Sequence, residues 1–115
     1  MKHTGSCHCG RVAFEAEGEI DGALDCNCSI CRRRGSLLWF VPGERFRLTT
    51  PPENVRTYRF HSKRIQHQFC DHCGIHPFGE GTDPSGRKMV AINLRCVDGI
   101  DLKSIPRQEF DGASI

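Results

Sequence analysis

Apolar positions in this chain alternate over short stretches, and no segment sustains a helical period. Val12, Phe14 and Ala16 interleave with Arg11, Ala13 and Glu15, the pattern of a half-buried strand. Gly18 and the Asp21-Gly22 pair are turn signals, so residues 11–26 read as a hairpin. Residues 29–34 have room for one helical turn, ended by Gly35. The unbroken apolar run at 37–41 has the length of a strand and is closed by Pro42-Gly43. Phe46 and Leu48 mark another short strand, stopped by Pro51-Pro52. Val55, Thr57 and residues 58–60, a turn at Ser62-Lys63, and residues 64–69 with Ile65, His67 and Phe69 on one face make a second hairpin. Gly79, Gly81 and residues 83–86 read as a long loop, 89–94 as the last strand, and everything after Asp98 as irregular tail. The pattern predicts an all-β fold of short antiparallel strands, a single domain over 1–115.

A domain of 115 residues buries only a modest core. Its hydrophobic fraction of 37% and charged fraction of 26% are those of a soluble globular protein. No run approaches the ~18 apolar residues that span a bilayer. Residues 1–5 lack the apolar core of a secretory signal, which makes a reducing cytoplasm the expected compartment. Eight cysteines in such a compartment point to metal ligation rather than to disulfides.

Seven of the eight fall in three tight clusters: Cys7 and Cys9; Cys26, Cys28 and Cys31; Cys70 and Cys73. A closed tetrahedral zinc takes four sulfur or nitrogen ligands, whereas a working zinc keeps three and leaves one position open. Two pairs and one trio therefore suggest one structural zinc and one open, reactive zinc. Gly74, directly after the last pair, is free to take the positive φ that such turns need. Charge adds a second feature. The net +2 conceals a basic stretch between residues 29 and 64, where nine arginines and lysines face only Glu44 and Glu53. That excess of seven charges, beginning right after the trio with Arg32, Arg33 and Arg34, suits an anionic ligand or a solvated face.

In order and spacing, Gly5-Ser6-Cys7-His8-Cys9-Gly10, Cys26-Asn27-Cys28-Ser29-Ile30-Cys31-Arg32, Phe69-Cys70-Asp71-His72-Cys73-Gly74 and Asn93-Leu94-Arg95-Cys96 resemble the glutathione-dependent formaldehyde-activating enzyme family, which includes the centromere-protein V type domain. The resemblance runs from about Gly5 to Asp101. It implies a β-tent fold clipped by two zinc ions per chain. Cys7, Cys9, Cys70 and Cys73 would hold the structural zinc. Cys26, Cys28 and Cys31 would hold the catalytic one, with water or a substrate thiol in the remaining position. The pairing of the two outer clusters comes from the resemblance, because spacing alone does not select it. The enzymes that named the family are longer, and the centromeric members carry a basic extension absent here.

The expected chemistry is that of a carbon–sulfur lyase. A zinc-held, glutathione-like thiol adds to an aldehyde, or the adduct is cleaved in reverse. Arg32, Arg33 and Arg34 would offset the trio's negative charge or hold a carboxylate of the thiol. Against this stands a second closed structural zinc, with a histidine or Cys96 as its fourth ligand. Cys96 follows an apolar strand and reads as a buried free thiol. His8, His67, His72 and His76 read as structural or solvated residues rather than ligands. Of the adjacent Trp39 and Phe40, one must face away from the other across a sheet, and core packing suits at least one. A different class of function is a zinc-scaffolded module binding nucleic acid or protein, with Tyr58 and Phe60 set among basic residues. One tyrosine, one tryptophan and a near-balanced charge argue against nucleic acid. A third is a redox sensor that releases zinc on thiol oxidation. Exposed strand edges leave a monomer or a homodimer as the expected state.

Overall fold

The computed structural model describes residues 1–60 and 65–114. The turn expected at Ser62-Lys63 lies outside them. The elements in chain order are β1 (Lys2–Ser6), β2 (Ala13–Glu17), β3 (Ala23–Cys26), α1 (Cys31–Arg34), β4 (Leu38–Pro42), β5 (Phe46–Leu48), β6 (Val55–Tyr58), β7 (Gln66–Cys70), β8 (Phe78–Thr82), β9 (Lys88–Asn93) and β10 (Arg107–Phe110). The molecule is all-β, with one α-helical turn and five 3-10 turns among the described residues. The α-helical turn stops at Gly35, which takes φ 71° and closes it with an N–H to the Cys31 carbonyl.

Two sheets lean together over a shared core. The smaller has the order β1-β2-β5 and the larger β10-β3-β4-β9-β8-β7-β6. Alternation decides which side chains meet between them. Trp39 and Val41 of β4, Phe78 of β8, and Val90 and Ile92 of β9 face inward, toward Val12, Phe14 and Ala16. Phe46 bridges the layers, with its ring centroid 5.4 Å from Phe14 and 4.6 Å from Phe78. The hairpin of β6 and β7 forms as expected, pairing Val55 with Cys70 through Tyr58 with His67.

Three expectations are corrected. Residues 11–26 do not form a hairpin. β2 pairs with β1 and β5 in the small sheet, while β3 belongs to the large one. Alternation identified β2 as a strand but carries no information about its partner. Gly79 and Gly81 are not in a loop. They lie inside β8, which is paired on both sides by β7 and β9, and the turn is confined to the residues around Asp83. The tail is not irregular. β10 runs parallel to β3, with Arg107 opposite Ala23 and Phe110 opposite Cys26, the one parallel pairing among the described strands. Arg-Gln-Glu-Phe has no apolar alternation, and its four residues are all exposed, so pairing rather than burial makes this strand.

Candidate functional site

Cys7 and Cys9 follow β1, Cys70 ends β7, and Cys73 lies in the turn after it. The fold brings these four together, with all their Sγ atoms within 4.8 Å of one another. Cys7 and Cys9 Sγ are 3.7 Å apart, and Cys9 and Cys70 Sγ are 3.6 Å apart. Tetrahedral sulfur ligands on bonds of about 2.3 Å stand about 3.8 Å from one another, so the geometry fits a closed zinc. Backbone N–H groups of Val12, His72 and Cys73 approach these sulfurs at 3.4 Å, and Gly74 takes φ 78° to complete the turn. Arg11 ties the two loops together. Its Nε and Nη2 donate to the Asp71 carboxylate at 3.0 and 3.2 Å, and Nη2 also reaches Asn54 Oδ1 at 2.8 Å.

The proton balance of the cluster calls for a cation. Desolvation resists ionisation of Cys73, yet N–H groups of Ile75 and Cys9, together with the neighbouring thiols, bring it down to about 6. At Cys9 the Arg11 N–H favours the thiolate, but desolvation and the crowd of Cys70, Cys7 and Cys73 push it up to about 11. Four thiols this close cannot all ionise without a cation between them.

The second cluster is local. Cys26 ends β3, Cys28 sits in the loop, and Cys31 opens α1. Their Sγ atoms also lie within 4.8 Å of one another, and among the described residues no fourth cysteine, histidine or carboxylate joins them. Cys28 N and Cys31 N approach Cys26 Sγ and Cys28 Sγ, each at 3.5 Å. Burial pushes the Cys31 thiol up to about 12, with Cys28 and Cys26 adding to it. Cys96 stands apart from both clusters, its Sγ 3.7 Å from Asn93 Nδ2 and 3.8 Å from the His76 carbonyl. Burial raises its thiol to about 11.

The C-terminal segment packs directly on this trio. Asn27, between two of its cysteines, donates from Nδ2 to Asp111 Oδ1 at 3.0 Å and accepts from Ala113 N at 2.9 Å. Its own N–H bonds the Phe110 carbonyl at 3.1 Å. A Cβ at Gly112 would lie 2.6 Å from Cys26 Sγ, so the chain can cross the thiol only as glycine. Nothing in the spacing of the cysteines announces this contact.

The three arginines after the trio diverge. Arg32 and Arg33 line a polar hollow of about 430 Å³ with Asn27, Ser29 and Gly112, and Arg33 Nη1 is fixed at 2.8 Å on the Ser29 carbonyl. Arg34 turns the other way, into an apolar cavity of about 470 Å³ walled by Leu38, Phe40, Ala91 and Phe110. Cys28 lines both spaces. Of the adjacent aromatics in β4, Trp39 is in the core and Phe40 faces this cavity. Tyr58 and Phe60 stack on each other at 5.8 Å, and Phe60, stacked on His67 at 5.3 Å, lines the same cavity while Tyr58 stays exposed.

Two of the cavity's residues are histidines: His67, expected as a packed strand residue, and His76, expected only to support the turn of Cys70 and Cys73. His67 is buried, and its Nδ1 lies 3.2 Å from Arg34 Nη1. A guanidinium only donates, so this Nδ1 is the acceptor. His76 Nδ1 donates to the Gln68 carbonyl at 2.7 Å. The period-2 pattern places His67 beside Ile65 but does not reveal that this face borders a cavity. Burial, then the Arg34 charge, lowers both imidazoles from 6.5 to about 4. In the unfolded chain both take a proton near pH 6.5, while the folded protein keeps them neutral down to about 4. The share of folding stability that these two histidines contribute is therefore complete above pH 6.5 and declines as the pH falls toward 4. Denaturant titrations between those limits measure the slope. His76→Phe removes one histidine's share of it, and an unchanged slope in that variant contradicts the assignment.

No helix among the described residues is long and apolar enough to cross a membrane. A model of the family described as "Glutathione-dependent formaldehyde-activating enzyme" matches residues 2–110. The chain is also similar to a Rhodobacter sphaeroides protein whose crystal structure was solved in a structural-genomics programme. The two are 29% identical, with a TM-score of 0.78, over 91% of this chain and 99% of that one.

Proposed function

The chain belongs to the glutathione-dependent formaldehyde-activating enzyme family, and from that premise we propose that it is a zinc-dependent enzyme of the carbon–sulfur lyase type. It joins a small, glutathione-like thiol to an aldehyde, or runs the reverse cleavage. Cys7, Cys9, Cys70 and Cys73 hold a structural zinc. Cys26, Cys28 and Cys31 would hold a second zinc, and three protein ligands would leave room there for a thiol. The observation that carries this reading is the trio itself, three sulfurs with no fourth protein ligand among the described residues, at the meeting point of two open spaces.

When bound at the trio, zinc lowers the pKa of an entering thiol to near neutrality. The chain's own residues do the rest. Arg32 and Arg33 hold the carboxylates of the thiol in the polar hollow. Arg34 is half-buried, and among the described residues no carboxylate lies within ion-pair distance of it. Its guanidinium is free to donate to the aldehyde oxygen as negative charge develops there. Neutral His67, accepting from Nη1, fixes the guanidinium's orientation. As the sulfur bonds to the carbonyl carbon, the C=O pair moves to oxygen, which takes its proton from solvent.

The test uses zinc-loaded protein with glutathione and formaldehyde, following formation of the S-hydroxymethyl adduct by carbon-13 exchange NMR. Acceleration over the uncatalysed rate is expected, and Arg34→Gln lowers kcat/KM by about 10²-fold. Protein holding two zinc ions that leaves the uncatalysed rate unchanged rules the reading out.

A further inference from the structure

We infer that the aldehyde taken by this site carries an apolar chain or ring, laid along the cavity that Arg34 enters, so that a one-carbon aldehyde fills only its mouth. The inference rests on the thiol-addition reading and adds the substrate's chemistry to it. The cavity measures about 470 Å³, within the range of sites that bury whole small molecules. Its floor is the outward face of the large sheet, where Phe40 of β4 lies opposite Ala91 of β9, and Ala91 opposite Gly79 of β8.

Gly79 is the informative residue. Glycine in a strand weakens it and often marks a place where a ligand comes close. Nothing in the backbone demands it here, because its φ is not in the left-handed region. A Cβ would make only ordinary contacts: 3.4 Å to the Gln66 carbonyl oxygen, 3.8 Å to the His76 ring and 4.0 Å to Ile65. What the missing side chain does leave is a smooth trough beside Ala91. The rim of this trough is unusually apolar for a surface. Phe40, Ile65 and Phe110 are 49%, 53% and 42% exposed, and all three line it.

Polar residues line it too: Glu80, Thr82 and Asp83 at the β8 end, with the Glu80 carboxylate held by Gln68 and Lys88 and that of Asp83 by Ser85, then the two histidines, and two residues that follow the trio in the chain. Arg34 is one. Ser36 is another, 3% exposed, lining the cavity, with its Oγ buried and lacking any hydrogen-bond partner among the described residues. A buried hydroxyl without a partner is costly unless a ligand supplies one. An aldehyde oxygen, becoming a hydroxyl on addition, satisfies that need, while its tail takes the apolar trough. The anionic thiol is matched to the other side of Cys28, where Arg32 and Arg33 lie. The chemistry stays balanced: one C–S bond forms, the carbonyl becomes a hydroxyl with a solvent proton, and the tail is unchanged.

Unreactive alcohols probe the trough without any chemistry. Titrating zinc-loaded protein with butanol, hexanol and octanol, followed by NMR shifts, should tighten Kd about fourfold per added methylene. In Gly79→Leu and Ala91→Leu, each confirmed folded by circular dichroism and zinc content, that gradient collapses. The two variants lie on different strands, so a folding failure in one leaves the other to decide. With glutathione as co-substrate, kcat/KM for octanal should exceed that for formaldehyde. A flat alcohol series, or a gradient that survives both substitutions, overturns the inference while formaldehyde addition can still stand. A steep series with no thiol addition to any aldehyde overturns the reaction and, with it, the aldehyde assignment.

Discussion

Cys73→Ser is expected to abolish the fold, giving the circular dichroism of an unfolded chain. The four-sulfur cluster joins the loop after β1 to the end of β7, and its closest cross-loop contact, Cys9 to Cys70, spans 61 residues. Closing so long a loop removes much of the freedom of the unfolded chain. Structural zinc sites contribute about 10–16 kcal/mol of apparent binding energy at neutral pH, as much as the roughly 5–15 kcal/mol by which whole domains are stable. Serine at this position removes a thiolate that N–H groups from Ile75 and Cys9 already stabilise. The apolar core between the sheets, with Phe14, Phe46 and Phe78 in it, is that of a short chain, which buries a smaller fraction of its surface than a large domain does. A cooperative melt within a few degrees of the unmodified protein would show that the cluster is not what holds the sheets together.

Cys28→Ser should behave in the opposite way. The fold survives, bound zinc falls from two ions per chain to one, and turnover drops by on the order of 10³-fold or more, the loss of several kcal/mol of metal-assisted stabilisation. The trio spans only residues 26–31, so it closes no long loop and its removal costs little conformational entropy. Elemental analysis and thermal melts on the same sample make the comparison. Equal destabilisation by Cys73→Ser and Cys28→Ser would mean two structural sites and no open one.

Much of the strand content was legible because apolar patterning is a local signal. β4 arises at an unbroken apolar run, β5 to β7 and β9 at short stretches of strand-forming residues bounded by turn signals, and α1 ends at Gly35 as its position in the chain suggests. The failures have one cause. β2 was legible as a strand, but its partners, β1 and β5, are chosen by the whole sheet. β8 contains two glycines and still forms a strand because both neighbours pair with it. β10 has no buried residue, and only its ladder with β3 defines it.

The same division runs through the site. The sequence by itself determined the chemistry on offer, seven clustered thiols in sets of two, three and two with three arginines after the trio, because cysteine spacing governs what neighbouring sulfurs can reach. The tertiary structure decided the rest. It brought Cys7 and Cys9 to Cys70 and Cys73, sent Arg34 away from Arg32 and Arg33, laid Gly112 across Cys26, and made His67 the wall of a cavity. Contacts between residues sixty or more positions apart depend on sheet order and strand register, and a period of two along one strand contains neither.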